Sequence, residues 1–173
     1  MATKWNLDNA HSEVQFKVKH LMITNVTGTL KTVEGAVDTE DENFAKAKVY
    51  FKADLSSIDT GNDQRDGHLK SPDFFDVEKF PELTFEADNF NASSGKVKGV
   101  LIIKGVSKPV ELDVEYMGTN KDPWGNQKAG FSISGKINRT DWGLTWNANL
   151  ETGGVLVSED VKLIAEVQFL KQA

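Results

Sequence analysis

Three histidines, His11, His20 and His68, are the residues best suited to proton transfer or metal ligation in this chain. They lie far apart in sequence, carry no Glu or Cys at ligand spacing, and form no His-Glu-x-x-His pattern. Two of them could meet only through the fold, so spacing gives no reason to expect a metal or any other cofactor. A second cluster is Arg65, Asp66 and His68. An arginine at a pocket mouth offers several fixed donors to a phosphate, a carboxylate or an amide oxygen. The same residues also suit a plainer role, capping and ion-pair contacts that hold a local segment, with Arg65 paired to Asp63 or Asp66. A third cluster is Arg139, Asp141 and Trp142, where an Arg–Asp pair either locks a turn or meets a ligand. No Gly-x-Ser-x-Gly elbow, phosphate-binding loop or dinucleotide glycine fingerprint is present. The residues therefore speak for binding and not for catalysis.

Composition narrows the partners. The chain has 173 residues, 39% hydrophobic and 27% charged, which fits one domain spanning 1–173 with a sizeable core. Its formal net charge of -6 disfavours nucleic acid as a partner. With no cysteine, disulfides, thiolate metal sites and a cysteine nucleophile are excluded. No apolar run approaches the roughly 20 residues of a spanning helix. Met1-Ala2-Thr3-Lys4-Trp5 leads into patterned sequence with no apolar signal region, so the expected location is cytoplasmic, or periplasmic if a leader has been removed.

The elements that must position these residues have a period of two. Val14, Phe16, Val18 and His20 alternate with Gln15, Lys17 and Lys19. The same alternation runs through Val49–Leu55, Val110–Tyr116, Ala129–Ile137 and Val161–Phe169, with weaker strands at Val26–Asp38, Leu83–Ala87 and Val97–Ile103. About eight half-wet strands predict an all-β antiparallel sandwich or barrel, and alternation alone does not separate the two. His20 shares the dry phase, either as a core histidine or as a polar contact at one end of a pocket. Phe51, Leu112, Phe131 and Leu163 share that phase on their own strands, and the many Val, Ala and Gly beside them leave room inside a barrel.

Between Leu55 and Leu83 the stretch is too long for a hairpin and should carry structure of its own. Thr60 with Asp63 predicts a capping-box variant opening a short helix, and Ser71-Pro72 predicts a second helix start. Leu69, Phe74, Phe75, Val77 and Phe80 give the excursion an apolar side that suits a flap over a barrel end.

Four blocks carry a resemblance. They are Trp5-Asn6-Leu7-Asp8 through His20 to Gly28; Asp59-Thr60-Gly61-Asn62 through Arg65-Asp66, His68-Leu69 and Phe74-Phe75-Asp76 to Phe80-Pro81; Gly99-Val100-Leu101 with Gly105 to Val110; and Asn138-Arg139-Thr140-Asp141-Trp142-Gly143. In this order they resemble the YceI-like family of polyisoprenoid-binding proteins over nearly the whole chain. The resemblance implies an extended, eight-stranded, lipocalin-like barrel with a short helical flap, often a homodimer, holding a long lipid in an apolar pore. Many relatives carry an export signal, and this sequence shows none. The function implied is to bind and carry, or store, an isoprenoid, quinone, fatty acid or fatty amide, without catalysis and without a cofactor. The candidate lining residues are Phe16, His20, Phe51, Arg65, His68, Leu69, Phe74, Leu112, Phe131, Trp142 and Leu163. A stress-related interaction module predicts a filled core instead, and an uncharacterised hydrolase is the remaining alternative.

Overall fold

The computed structural model describes residues 3–172, except 42, 149, 152 and 153. Its strands are β1 (Thr3–Leu7), β2 (Glu13–His20), β3 (Thr24–Leu30), β4 (Val33–Thr39), β5 (Ala47–Asp54), β6 (Ile58–Asp59), β7 (Glu82–Phe90), β8 (Lys96–Ile103), β9 (Val106–Lys121), β10 (Gln127–Asn138) and β11 (Asp160–Lys171), with one α-helix, α1 (Asp63–Lys70). All pairings between these strands are antiparallel. The ring runs β1-β4-β5-β7-β8-β9-β10-β11 and closes where β1 pairs with β11, making an eight-stranded barrel. Closure satisfies the strand edges that an open sheet would expose.

The three remaining strands continue ribbons already in the ring. β11 pairs with β1 from Phe169 to Lys171 and with β2 from Lys162 to Glu166, so β1 and β2 form one bent ribbon along a single neighbour. The bend is a 3₁₀ turn, Asn9–His11, in which the Asp8 carboxylate accepts from the Ala10 N–H. β3 and β4 are likewise one ribbon broken at Lys31 and Thr32, where sequence alternation suggested a single strand. β5 bends into β6 at a turn capped by Asp54. The strand Thr3–Leu7 was not marked by alternation, because Trp5 is its one fully buried side chain.

One end of the barrel is filled by aromatic rings. Phe44 lies 5.2 Å from Trp5, 5.5 Å from Tyr116 and 5.2 Å from Phe131. Phe131 stacks on Tyr116 at 5.1 Å and meets Phe90 and Phe169 edge-on. A β-bulge serves this plug: Phe131 pairs with Tyr116 and Gly130 with Gly118, which leaves Met117 as the extra, outward residue.

The flap segment departs from expectation in two ways. The N-cap of α1 is Asn62, whose side chain accepts from the Arg65 N–H; Thr60 and Asp63 do not form the cap. Ser71-Pro72 opens no second helix. Ser71 is instead the C-cap of α1, and its carbonyl accepts from Phe74 N–H in a run of turns. The end of α1 and those turns still place Leu69, Phe74 and Phe75 on the apolar interior.

Candidate functional site

Inside the barrel, between the aromatic plug and α1, is a cavity of about 600 Å³. That is within the range of about 300–1,000 Å³ usual for ligand pockets. Its wall comes from the inner phase of almost every strand, including Phe16, Phe51, Leu112, Phe131 and Leu163. Phe16, Phe51, Leu112 and Leu163 are only half-buried although they point inward, because the space they face is open.

Two glycines keep the wall thin. A Cβ on Gly28 would lie 2.2 Å from Phe16 Cζ, and one on Gly135 would lie 2.4 Å from Leu112 Cδ2. Phe16 and Leu112 therefore lie against the bare backbone of a neighbouring strand.

The mouth is built from α1, the end of β2 and the segment after β10. Arg65, His68 and Leu69 of α1 line it, with Phe74 and His20. Arg65 is exposed and directed at Thr60: its Nε donates to Thr60 Oγ1 at 2.7 Å and its Nη2 to the Thr60 carbonyl at 2.6 Å. Thr60 in turn donates from its hydroxyl (2.5 Å) and its N–H (2.9 Å) to the buried Asp66 carboxylate. Arg65 thus reaches Asp66 through Thr60 and makes no direct ion pair with Asp63 or Asp66 among the described residues. His68 Nε2 is 2.9 Å from Asp73, and its ring stands edge-on to Phe74 (5.0 Å) and Trp146 (4.6 Å).

Arg139 locks loop geometry at the mouth, as its cluster suggested, but not through Asp141. It is buried and lines the cavity, with its guanidinium 5.8 Å from the Phe74 ring centre. Its Nε, Nη1 and Nη2 donate to the carbonyls of Ser158, Leu144 and Val157 at 2.9, 2.6 and 3.3 Å. Asp141 is exposed and is not its partner. Burial pulls the Arg139 pKa down from the ordinary arginine value. The guanidinium still carries its charge at neutral pH and binds the 144–158 segment to the end of β10.

Ten of the eleven candidate residues line the cavity, and Trp142 does not. Trp142 is buried beside it in the core, where its indole N–H donates to the Leu101 carbonyl at 2.9 Å. Trp146, four residues on, takes a place at the mouth instead. It sits in a polar, aperiodic stretch that carries no strand signal, so alternation could not find it. Among the described residues, no group of three His, Cys, Asp or Glu is placed to hold a metal ion, and no helix is long and apolar enough to cross a membrane.

A closed antiparallel barrel with an apolar interior cavity and a helix at its mouth defines a lipocalin-like binding barrel. The YceI-like domain model matches residues 5–169, and the chain belongs to the YceI-like family. A UPF0312 protein of Staphylococcus epidermidis is 42% identical over 168 residues, covering 96% of this chain and 97% of the relative. The crystal structure of a Campylobacter jejuni YceI protein superposes with a TM-score of 0.73 at 36% identity, covering 90% of each chain. A polyisoprenoid-binding domain from Saccharophagus degradans shares the fold at a TM-score of 0.71 and 16% identity, covering 97% of this chain and 98% of that one.

Proposed function

We propose that this chain binds a long-chain apolar amphiphile, isoprenoid or fatty, in the barrel cavity and carries it through water. The observation that carries this reading is the cavity itself: about 600 Å³ of apolar-walled space that a filled-core module would not leave. The polyisoprenoid-binding description of the Saccharophagus domain supports the same class of cargo. The tail runs toward the aromatic plug, and the polar end rests at the mouth beside α1. Burial of the tail contributes about 0.8 kcal/mol per methylene, so length and cavity shape supply most of the affinity. Entry and exit require α1 and the turns after it to move, since the plug closes the other end. The proposal assigns binding and asks no covalent chemistry of any residue.

Delipidated protein, titrated with a fluorescent prenyl or acyl probe, tests this. The expected result is saturable uptake at micromolar concentration with one probe per barrel. Absence of uptake for both probe types would overturn the carrier reading.

A further inference from the structure

The hairpin between β2 and β3 ends in Leu21-Met22-Ile23, beside the cavity mouth. These three apolar side chains are exposed, Ile23 to 78%. Leu21 and Met22 also hold positive φ, 54° and 62°, a conformation that glycine or asparagine adopts far more readily. A tight turn of this kind is ordinarily polar, so the tip combines two unfavourable choices: strained backbone and water-exposed hydrocarbon. It is not a loose loop. The Leu21 N–H donates to the Leu156 carbonyl at 2.8 Å, and His20 pairs with Val157. Both His20 and Val157 line the cavity, so the tip is continuous with its lip.

Behind the tip, the outer barrel face carries a row of lysines. Lys136 on β10 is opposite Lys162 on β11, and Lys162 is opposite Lys17 on β2. Lys19 follows on β2, one residue before the hairpin end. Adjacent strands are about 4.8 Å apart, so these cations stand side by side. Like charges directly opposite destabilise a sheet, and no ion pair offsets Lys17, Lys19 or Lys162 among the described residues. Lys136 pairs with Asp160 at 3.3 Å, and Glu159 and the exposed Asp141 are further carboxylates at that end of β10 and β11. In a chain of net charge -6, such a row is a local reversal of sign.

We propose that the mouth end of the barrel docks on an anionic lipid surface. Leu21, Met22 and Ile23 enter the head-group layer, and the barrel tilts so that Lys17, Lys19, Lys136 and Lys162 face the phosphates. A second copy packed two-fold on the same face would set these lysines against one another, so charge complementarity selects an anionic bilayer over that pairing. Docking places the mouth where an amphiphile can pass between membrane and cavity without crossing water. The proposal goes beyond the carrier reading and is tested without cargo.

Co-sedimentation with vesicles of phosphatidylcholine, with and without phosphatidylglycerol, measures it. Wild-type protein binds the anionic vesicles and is released by salt. The double variant Met22→Ser, Ile23→Asp and the charge variant Lys17→Glu, Lys162→Glu each lose binding about tenfold or more. Trp124→Ser removes an 83% exposed apolar side chain at the opposite, plugged end and leaves binding unchanged. Uptake of a prenyl probe delivered without vesicles stays normal in all three variants, which separates failure of docking from failure of the cavity. Three results would each overturn the proposal: no association of wild type with anionic vesicles, tip variants that bind as wild type does, or a concentration-dependent dimer that the tip variants abolish while vesicle binding is absent.

Discussion

Removing the Arg65 side chain takes two donors from Thr60, the residue that ties α1 to β6 through Asp66. Because those hydrogen bonds are internal to the flap, Arg65→Ala should lower stability by about 1–2 kcal/mol, which corresponds to a drop in Tm of roughly 2–8 °C. It should weaken an anionic and a neutral amphiphile of equal length by the same factor. Paired titrations with a melting curve decide the matter; a loss confined to the anionic ligand would assign Arg65 to the head group instead. Residue partnerships were the least legible part of this chain. Arg65 and Asp66 stood out as a cluster, yet Thr60 joins them, and it showed only as a candidate cap. Arg139 looked like the partner of Asp141, but its acceptors are three backbone carbonyls up to 19 residues away. Every residue type carries a carbonyl, so such partners leave no mark in a sequence.

Elements were legible where one face is wet and the other dry. Val14–His20 and, apart from Ile164, Val161–Phe169 alternate because their outer faces meet solvent and their inner faces meet the cavity. Signals failed where the chain turns too soon: the Ser71 hydroxyl accepts from the Asp73 N–H at 3.3 Å as a helix start would, but Asp76 takes a positive φ of 52° and ends the turn before a helix forms. The break in the ribbon β3–β4 was read over although it shifts the phase: buried positions are even through Leu30 and odd from Val33, with Lys31 and Thr32 both exposed between them. The fit between neighbouring strands was not visible either. Gly28 lies under Phe16, so Gly28→Val should lift the ring off the wall and into the cavity. Stability should fall by about 1–3 kcal/mol from overpacking. Affinity should fall more steeply for long tails than short ones, at about 0.8 kcal/mol for each methylene displaced. A series of acyl probes of increasing length measures this. An equal loss at every length would place Phe16 away from the tail.

The whole barrel depends on the seam where the start of the chain meets its end. β1 closes the ring on β11, and the Asp8 N–H continues that seam by donating to the Gln168 carbonyl at 2.8 Å. From the same residue a carboxylate oxygen lies 2.8 Å from Lys128 Nζ on β10, with both side chains less than one-fifth exposed. His11 Nδ1 is 2.8 Å from that carboxylate as well. The hydrogen bond from Lys128 is the largest influence on Asp8 and holds its carboxyl below the usual aspartate value, against the opposing effect of burial. In the unfolded chain Asp8 returns to about 3.9. Between the two values the unfolded state binds more protons than the folded one, so stability rises with pH across that window. The contribution is fully present above about pH 5 and is lost as pH falls through the depressed value. Asp54, Asp59 and Asp122 are held low too, but by hydrogen bonds at exposed turns or by an exposed lysine, where salt screens charge more effectively. Asp8→Asn should therefore melt below wild type at neutral pH, and the gap should close on acidification as pH falls through the depressed Asp8 value. It should also persist in high salt better than a gap made by Asp59→Asn. Thermal melts across pH at low and high salt test this: because asparagine keeps the oxygen that accepts from the Ala10 N–H, a gap that keeps its full size in acid would show that the substitution acts through the neutral side chain's packing and not through the lost charge.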